Sequence, residues 1–133
     1  MERVTSPWIL ISVAVGILYA LVGILFALPT THVHAWRLAA WVVCGLGYAG
    51  HVVYERVRQR RPSAVAAWHV AAAAAIGGFG LAVGANIHSL GVESTARQHT
   101  LLLLSLALWP VVSAVPAFVV AFAASVVVGR AVR

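Results

Sequence analysis

The fold is decided by residues 101–128, which read LLLLSLALWPVVSAVPAFVVAFAASVVV and carry no charged side chain. A helix rises about 1.5 Å per residue, so about 20 residues cross the roughly 30 Å hydrocarbon core of a bilayer. Residues 8–28, 35–54 and 65–87 form three further apolar runs of sufficient length. Inside lipid the backbone must satisfy its own hydrogen bonds, and these runs lack the alternation of barrel strands. The sequence therefore predicts an all-α integral membrane protein with four transmembrane helices.

The composition supports lipid as the main solvent. Hydrophobic residues make up 62% of the chain and charged residues only 9%, whereas soluble domains are about 45–50% apolar and about 25% charged. In a soluble protein a net charge of +6 would suggest nucleic acid as a partner. Here the arginines lie at the edges of the apolar runs, where they contact lipid headgroups. We therefore expect the lipid bilayer, and not nucleic acid, as the partner.

The arginines also predict an orientation. Residues 55–63, between the second and third runs, read ERVRQRRPS, and with both tails they carry seven of the nine arginines. The opposite side carries only Arg37 and Arg97. Four crossings place both tails and the second loop on one side, which the positive-inside rule assigns to the cytoplasm. The short loops predict a single domain over residues 1–133, an up-down-up-down four-helix bundle in the cytoplasmic (inner) membrane with both termini inside.

Small residues indicate where helices approach each other closely. In the third run Gly80 and Gly84 are four residues apart and Gly77 lies nearby, which is typical of membrane helix packing. This surface suits either internal packing or contact with a second copy of the chain. In addition, Gly16 and Gly23 are seven residues apart, as are Gly77 and Gly84. The equal spacing of the two glycine pairs indicates either a parallel two-helix repeat or a coincidence in a glycine-rich chain.

Three residues near the predicted cytoplasmic face are candidates for a cofactor site. His51 and Glu55 are four residues apart and share a helix face. His69 lies as far after the middle of the inner loop as His51 lies before it, so the two imidazoles are expected at similar depth. His51, Glu55 and His69 suit a divalent metal, and His51 with His69 suits a haem iron. The alternative is a set of interfacial histidines with Glu55 paired to Arg56 or Arg58.

A second histidine set lies near the outer loops and is a weaker metal candidate. Its members are His32, His34, His88 and His99. None of them has the tight spacing of a metal motif, so a polar cluster at the level of the lipid headgroups is the alternative interpretation.

The centres of the four runs contain no charged residue, which argues against proton-coupled transport. Pro110 and Pro116 predict a kink in the fourth helix, and a kink can open a cavity for a ligand. No catalytic motif is present, so no catalytic residue is assigned and an enzyme is not expected. The preferred hypothesis is a small accessory or assembly partner, or a binder of an apolar ligand or lipid. The alternatives are a metal- or haem-binding redox protein and a transporter of uncharged solutes that acts as a dimer.

Overall fold

The computed structural model describes residues 7–91 and 95–132, and these form four α-helices without a β-strand. The helices are α1 (Pro7–Leu25), α2 (Val33–Val53), α3 (Ser63–Ser89) and α4 (Ala96–Ala131). The prediction of an all-α chain with four helices is confirmed. Arg3 and Arg133, which entered the orientation argument, lie outside the described residues.

Three of the helices, α1, α3 and α4, are long and apolar enough to cross a membrane. The chain therefore has the character of a membrane protein. The second helix is not among the three. It carries Arg37, His34 and His51 together with three glycines, and these residues lower its hydropathy.

Some helices begin or end at other residues than the apolar runs that predicted them. Helix α4 starts at Ala96, five residues before the predicted start, because Thr95 caps it by accepting a hydrogen bond from the Gln98 backbone N–H at 3.3 Å. Helix α1 ends at Leu25, before the end of its apolar run. Hydropathy marks the lipid-crossing length, whereas backbone hydrogen bonds and caps decide where a helix begins and ends.

The predicted inner loop at residues 55–64 is wrong in its first half. Helix α2 continues into a π-helical turn at Tyr54–Arg58, closed by a hydrogen bond from the Gln59 N–H to the Tyr54 carbonyl at 3.1 Å. Turns of this kind are frequent at functional sites. As a result Glu55 belongs to a helix, and its side chain is buried inside the protein.

Helix α1 packs against α3 through glycines on both sides. The facing pairs are Gly16 with Ile76, Tyr19 with Gly77, Ala20 with Gly80 and Ile24 with Gly84. The residue numbers rise together, so the two helices run parallel. A Cβ atom added to Gly80 would lie 2.5 Å from Ala20 Cβ, and one added to Gly77 would lie 2.7 Å from Tyr19 Cβ. Gly77, Gly80 and Gly84 thus lie against α1. The alternative of contact with a second copy of the chain stays a prediction.

Helix α3 also packs extensively against α4, so it lies at the centre of the fold. Asn86 Nδ2 donates to the Leu102 carbonyl at 2.8 Å, and Gly78 lies against Ser113. Between these two contacts the residue numbers rise along α3 and fall along α4, so the two helices run antiparallel. Both prolines of α4 lie inside a continuous helix.

The outer surface is apolar. Trp41 is 77% exposed, and many other large hydrophobic side chains on all four helices are exposed as well. The buried hydrophobic cluster is small and consists of Val52, Ala67, Val70 and Ala121. Water-soluble monomers rarely expose large continuous apolar patches. This surface matches a lipid environment.

Candidate functional site

The structure brings together the three inner residues that the sequence singled out. His69 Nδ1 lies 2.8 Å from Glu55 Oε2, and His51 Nε2 lies 3.9 Å from Glu55 Oε1. The side chains of Glu55 and His51 are fully buried, and that of His69 is 10% exposed. Glu55 therefore stands between two imidazoles, each of which faces a different carboxylate oxygen. We call His51, Glu55 and His69 the inner cluster.

Two expectations about Glu55 are wrong. The sequence placed this carboxylate at the edge of a loop, but the helical turn after α2 carries it into the protein interior. Within the described residues its ion-pair partners are histidines, not Arg56 or Arg58. Arg56 instead donates from Nε to the Ser125 carbonyl at 2.9 Å and from Nη1 to the Arg61 carbonyl. It thus binds backbone carbonyls of α4 and of the short loop.

Helix α1 completes the surroundings of His69. The Trp8 ring stacks on the imidazole with centroids 4.4 Å apart and planes 5° apart. The Ser12 hydroxyl donates to the His69 carbonyl at 3.1 Å. The sequence interpretation missed both residues. A signal was present, because the spacing that relates Gly16 to Gly77 also relates Trp8 to His69.

The inner cluster contains unused hydrogen-bonding capacity. Both ring nitrogens of His51 and the Oε1 atom of Glu55 are buried and have no hydrogen-bond partner among residues 7–91 and 95–132. The 3.9 Å between His51 Nε2 and Glu55 Oε1 is too long for a direct hydrogen bond. Buried polar atoms without partners are rare because each one loses its bonds to water. His51 Nε2 and Glu55 Oε1 therefore face each other as a buried donor–acceptor pair that is not closed by a hydrogen bond.

The metal and haem assignments of the inner cluster stay predictions. In the parts of the chain that the structure describes, no group of three or more His, Cys, Asp or Glu side chains is arranged to hold a metal ion. The two imidazoles face different oxygens of one carboxylate and do not converge on a common point.

The outer histidines are placed differently. His32, His34, His88 and His99 are all exposed. His32 precedes α2 with a left-handed backbone at φ 54°, and His88 lies in the last turn of α3. The described residues show no metal-binding group here either. These four side chains remain predictions without a built site.

A second feature is an apolar groove between α3 and α4, beside Pro116. Its volume is about 190 Å³, and its lining residues are Trp68, Ala71, Ala114, Val115, Phe118 and Val119. The rings of Trp68 and Phe118 lie 5.1 Å apart at its wall. We call this the α3–α4 groove. It lies where the sequence raised a cavity behind the prolines.

Comparisons with protein-family models, with curated proteins and with solved structures find no match to this chain. Function is therefore inferred from two features of the molecule itself. One is the inner cluster with its unpartnered atoms, and the other is the α3–α4 groove.

Proposed function

We propose that the chain crosses the cytoplasmic membrane four times as an up-down-up-down bundle with both termini inside. The helix contacts support this arrangement, because the Arg56 to Ser125 contact brings the end of α2 and the end of α4 together. Arg58 and Arg130 are exposed at that end. Arg37 precedes the bulk of α2 and so lies at the opposite end. This separation of arginines is the positive-inside pattern.

Cysteine labelling in intact cells checks this orientation. Cys44 is replaced by Ser, and a single cysteine is then placed at Arg58 or at Gly91, on opposite ends of α3. An impermeant maleimide is expected to label the Gly91→Cys chain in intact cells and the Arg58→Cys chain only after permeabilisation. The reverse pattern would exclude the orientation, and labelling of both positions from outside would exclude α3 as a crossing helix.

Within this frame, the geometry supports a non-enzymatic role in binding an apolar chain of a lipid. The observation that carries this proposal is the α3–α4 groove, whose lining is entirely apolar. An apolar cavity of about 150 Å³ holds a benzene molecule, whereas sites for whole small ligands measure about 300–1,000 Å³. The groove, at about 190 Å³, therefore suits a segment of an acyl chain.

The charge around the groove favours an anionic lipid. Trp68 lies in the second turn of α3, five residues after Ser63, where the helix begins, and five helical residues correspond to about 7.5 Å. Arg61 comes two residues before Ser63. Arg58 and Arg60 are exposed at the same end. Each arginine near a membrane surface favours anionic lipid by about 1 kcal/mol. A headgroup among these arginines would leave its acyl chain level with the groove.

Native mass spectrometry of the delipidated protein, reloaded with phosphatidylglycerol or phosphatidylcholine, tests the proposal. We expect one retained phosphatidylglycerol on the wild-type chain and its loss on Ala114→Leu, since the added side chain fills the groove. Ala49→Leu on the exposed face of α2 is the matched control and should keep the lipid. Equal retention of both lipids, or retention by Ala114→Leu, would contradict the proposal.

A further inference from the structure

The inner cluster offers chemistry that lipid binding does not use. It contains one carboxylate and two imidazoles, and the charged and titratable groups around it are few. The Arg56 guanidinium is directed at two backbone carbonyls, and the Tyr48 hydroxyl at the Ala117 carbonyl. From α4 comes the buried residue Ser125, whose hydroxyl has no hydrogen-bond partner in the described part of the chain. From α1 the neighbours are the uncharged Trp8 and Ser12.

Charge balance determines how many protons the inner cluster holds. A buried carboxylate without a compensating charge is costly, and so is a second buried cation. The state with ionised Glu55, one imidazolium and one neutral imidazole has no net charge. The Trp8 ring stacked on His69 adds an attractive π face for an imidazolium at that position. A single proton added to the two histidines is thus the loading that leaves the cluster without net charge.

The two imidazoles differ in their access to water. His69 keeps 10% of its side chain exposed, while the side chain of His51 is completely buried. His51 lies in the last turn of α2, one helical turn before Glu55. Of the three members, His69 is the one that keeps an exposed surface, and the neighbour of His51 within the cluster is Glu55.

We propose that His51, Glu55 and His69 form a buried binding site for one proton, in which Glu55 passes the proton between the accessible His69 and the sealed His51. The transfer between Glu55 and His51 is inferred from two unpartnered atoms, His51 Nε2 and Glu55 Oε1, which face each other at 3.9 Å. An approach of about 1 Å brings them within hydrogen-bond distance. This site is independent of the lipid proposal.

The transfer balances without any co-reactant. The imidazolium of His69 gives its Nδ1 proton to Glu55 Oε2, which leaves a neutral imidazole and a neutral carboxyl group. Rotation of the carboxyl group about its Cγ–Cδ bond carries the O–H to the side of His51. The O–H bond then breaks as the N–H bond of His51 forms, and Glu55 is again a carboxylate. The net charge of the cluster is zero at every stage.

Nitrogen-15 NMR of histidine-labelled full-length protein in lipid vesicles tests this site, since it reports the protons on each ring nitrogen. Signals of the two residues are identified through His51→Gln and His69→Gln. Near neutral pH we expect a single imidazolium in the pair, averaged over both rings or trapped on one. Glu55→Gln should abolish that imidazolium signal, because the compensating negative charge is gone. His99→Gln, at an exposed histidine, is the control and should leave the pair unchanged.

Two results would overturn the proposal. One is a wild-type pair with both imidazoles neutral near neutral pH, and the other is an imidazolium that persists in Glu55→Gln. If Glu55→Gln fails to fold by circular dichroism, His51→Phe provides the second measurement. Removal of His51 should then leave the imidazolium on His69 alone, without transfer to a second ring, and a neutral His69 in that variant would refute the site.

Discussion

Replacement of Gly16 by alanine tests the contact that joins α1 to the rest of the protein. A Cβ atom at this position would lie 2.6 Å from Ile76 Cβ and 2.9 Å from the Ala73 carbonyl oxygen. Ordinary contacts of carbon atoms are about 3.5–4.0 Å, so α1 and α3 would have to separate by about 1 Å. Neither obstacle is the flexible end of a side chain, because one is backbone and the other is a β-branched Cβ.

The magnitude follows from a comparison with a matched glycine. Overpacking of this kind costs about 1–3 kcal/mol, while exchange of Gly for Ala inside a helix gains up to about 1 kcal/mol. Gly45 on α2 has nothing within 4 Å of an added Cβ. Gly45→Ala therefore keeps the helix gain without the clash. The difference in free energy of unfolding between the two variants isolates the steric cost, which we expect at about 1–3 kcal/mol.

The assay is unfolding of each purified variant by increasing SDS in mixed micelles, followed by circular dichroism. Gly16→Ala should unfold at a lower SDS fraction than wild type, and Gly45→Ala at an equal or higher fraction. The reasoning is refuted if Gly16→Ala is as stable as Gly45→Ala, because the close parallel contact of α1 and α3 would then be absent in the protein.

Two hydrogen bonds between helices give further predictions. Asn86→Ala removes the Nδ2 donor to the Leu102 carbonyl. Such bonds between membrane helices average about 0.6 kcal/mol, so the SDS fraction at the midpoint of unfolding should fall by a matching amount. An unchanged midpoint would show that the bond contributes nothing to stability. Tyr48→Phe removes the bond of α2 to the Ala117 carbonyl at 2.5 Å, with an expected loss of about 0.5–1.5 kcal/mol. Because α2 has few other contacts with α4, hydrogen exchange of α2 amides should accelerate more than that of α3 amides, and uniform acceleration would contradict this assignment.

Part of the site was accessible from the sequence. The spacing of His51 and Glu55 predicted a shared helix face, and the symmetric position of His69 about the inner loop predicted a similar depth. Whether the three side chains meet was left open. The separation of Gly16 and Gly77 contained the further information that Trp8 stands opposite His69, but only a parallel contact of α1 and α3 gives that spacing its meaning. A periodicity in one chain does not reveal which two helices face each other.

The sequence by itself determined the helical class and the membrane character, because helix length and apolarity are properties of each segment taken alone. Only the tertiary structure decided that α3 is central, that its glycines are covered by α1, and that Glu55 is buried between two imidazoles instead of lying in a loop beside arginines. The physical reason is that burial and partner choice depend on which surfaces meet. A single π-helical turn after α2, invisible to hydropathy, carries the carboxylate from the predicted loop into the interior.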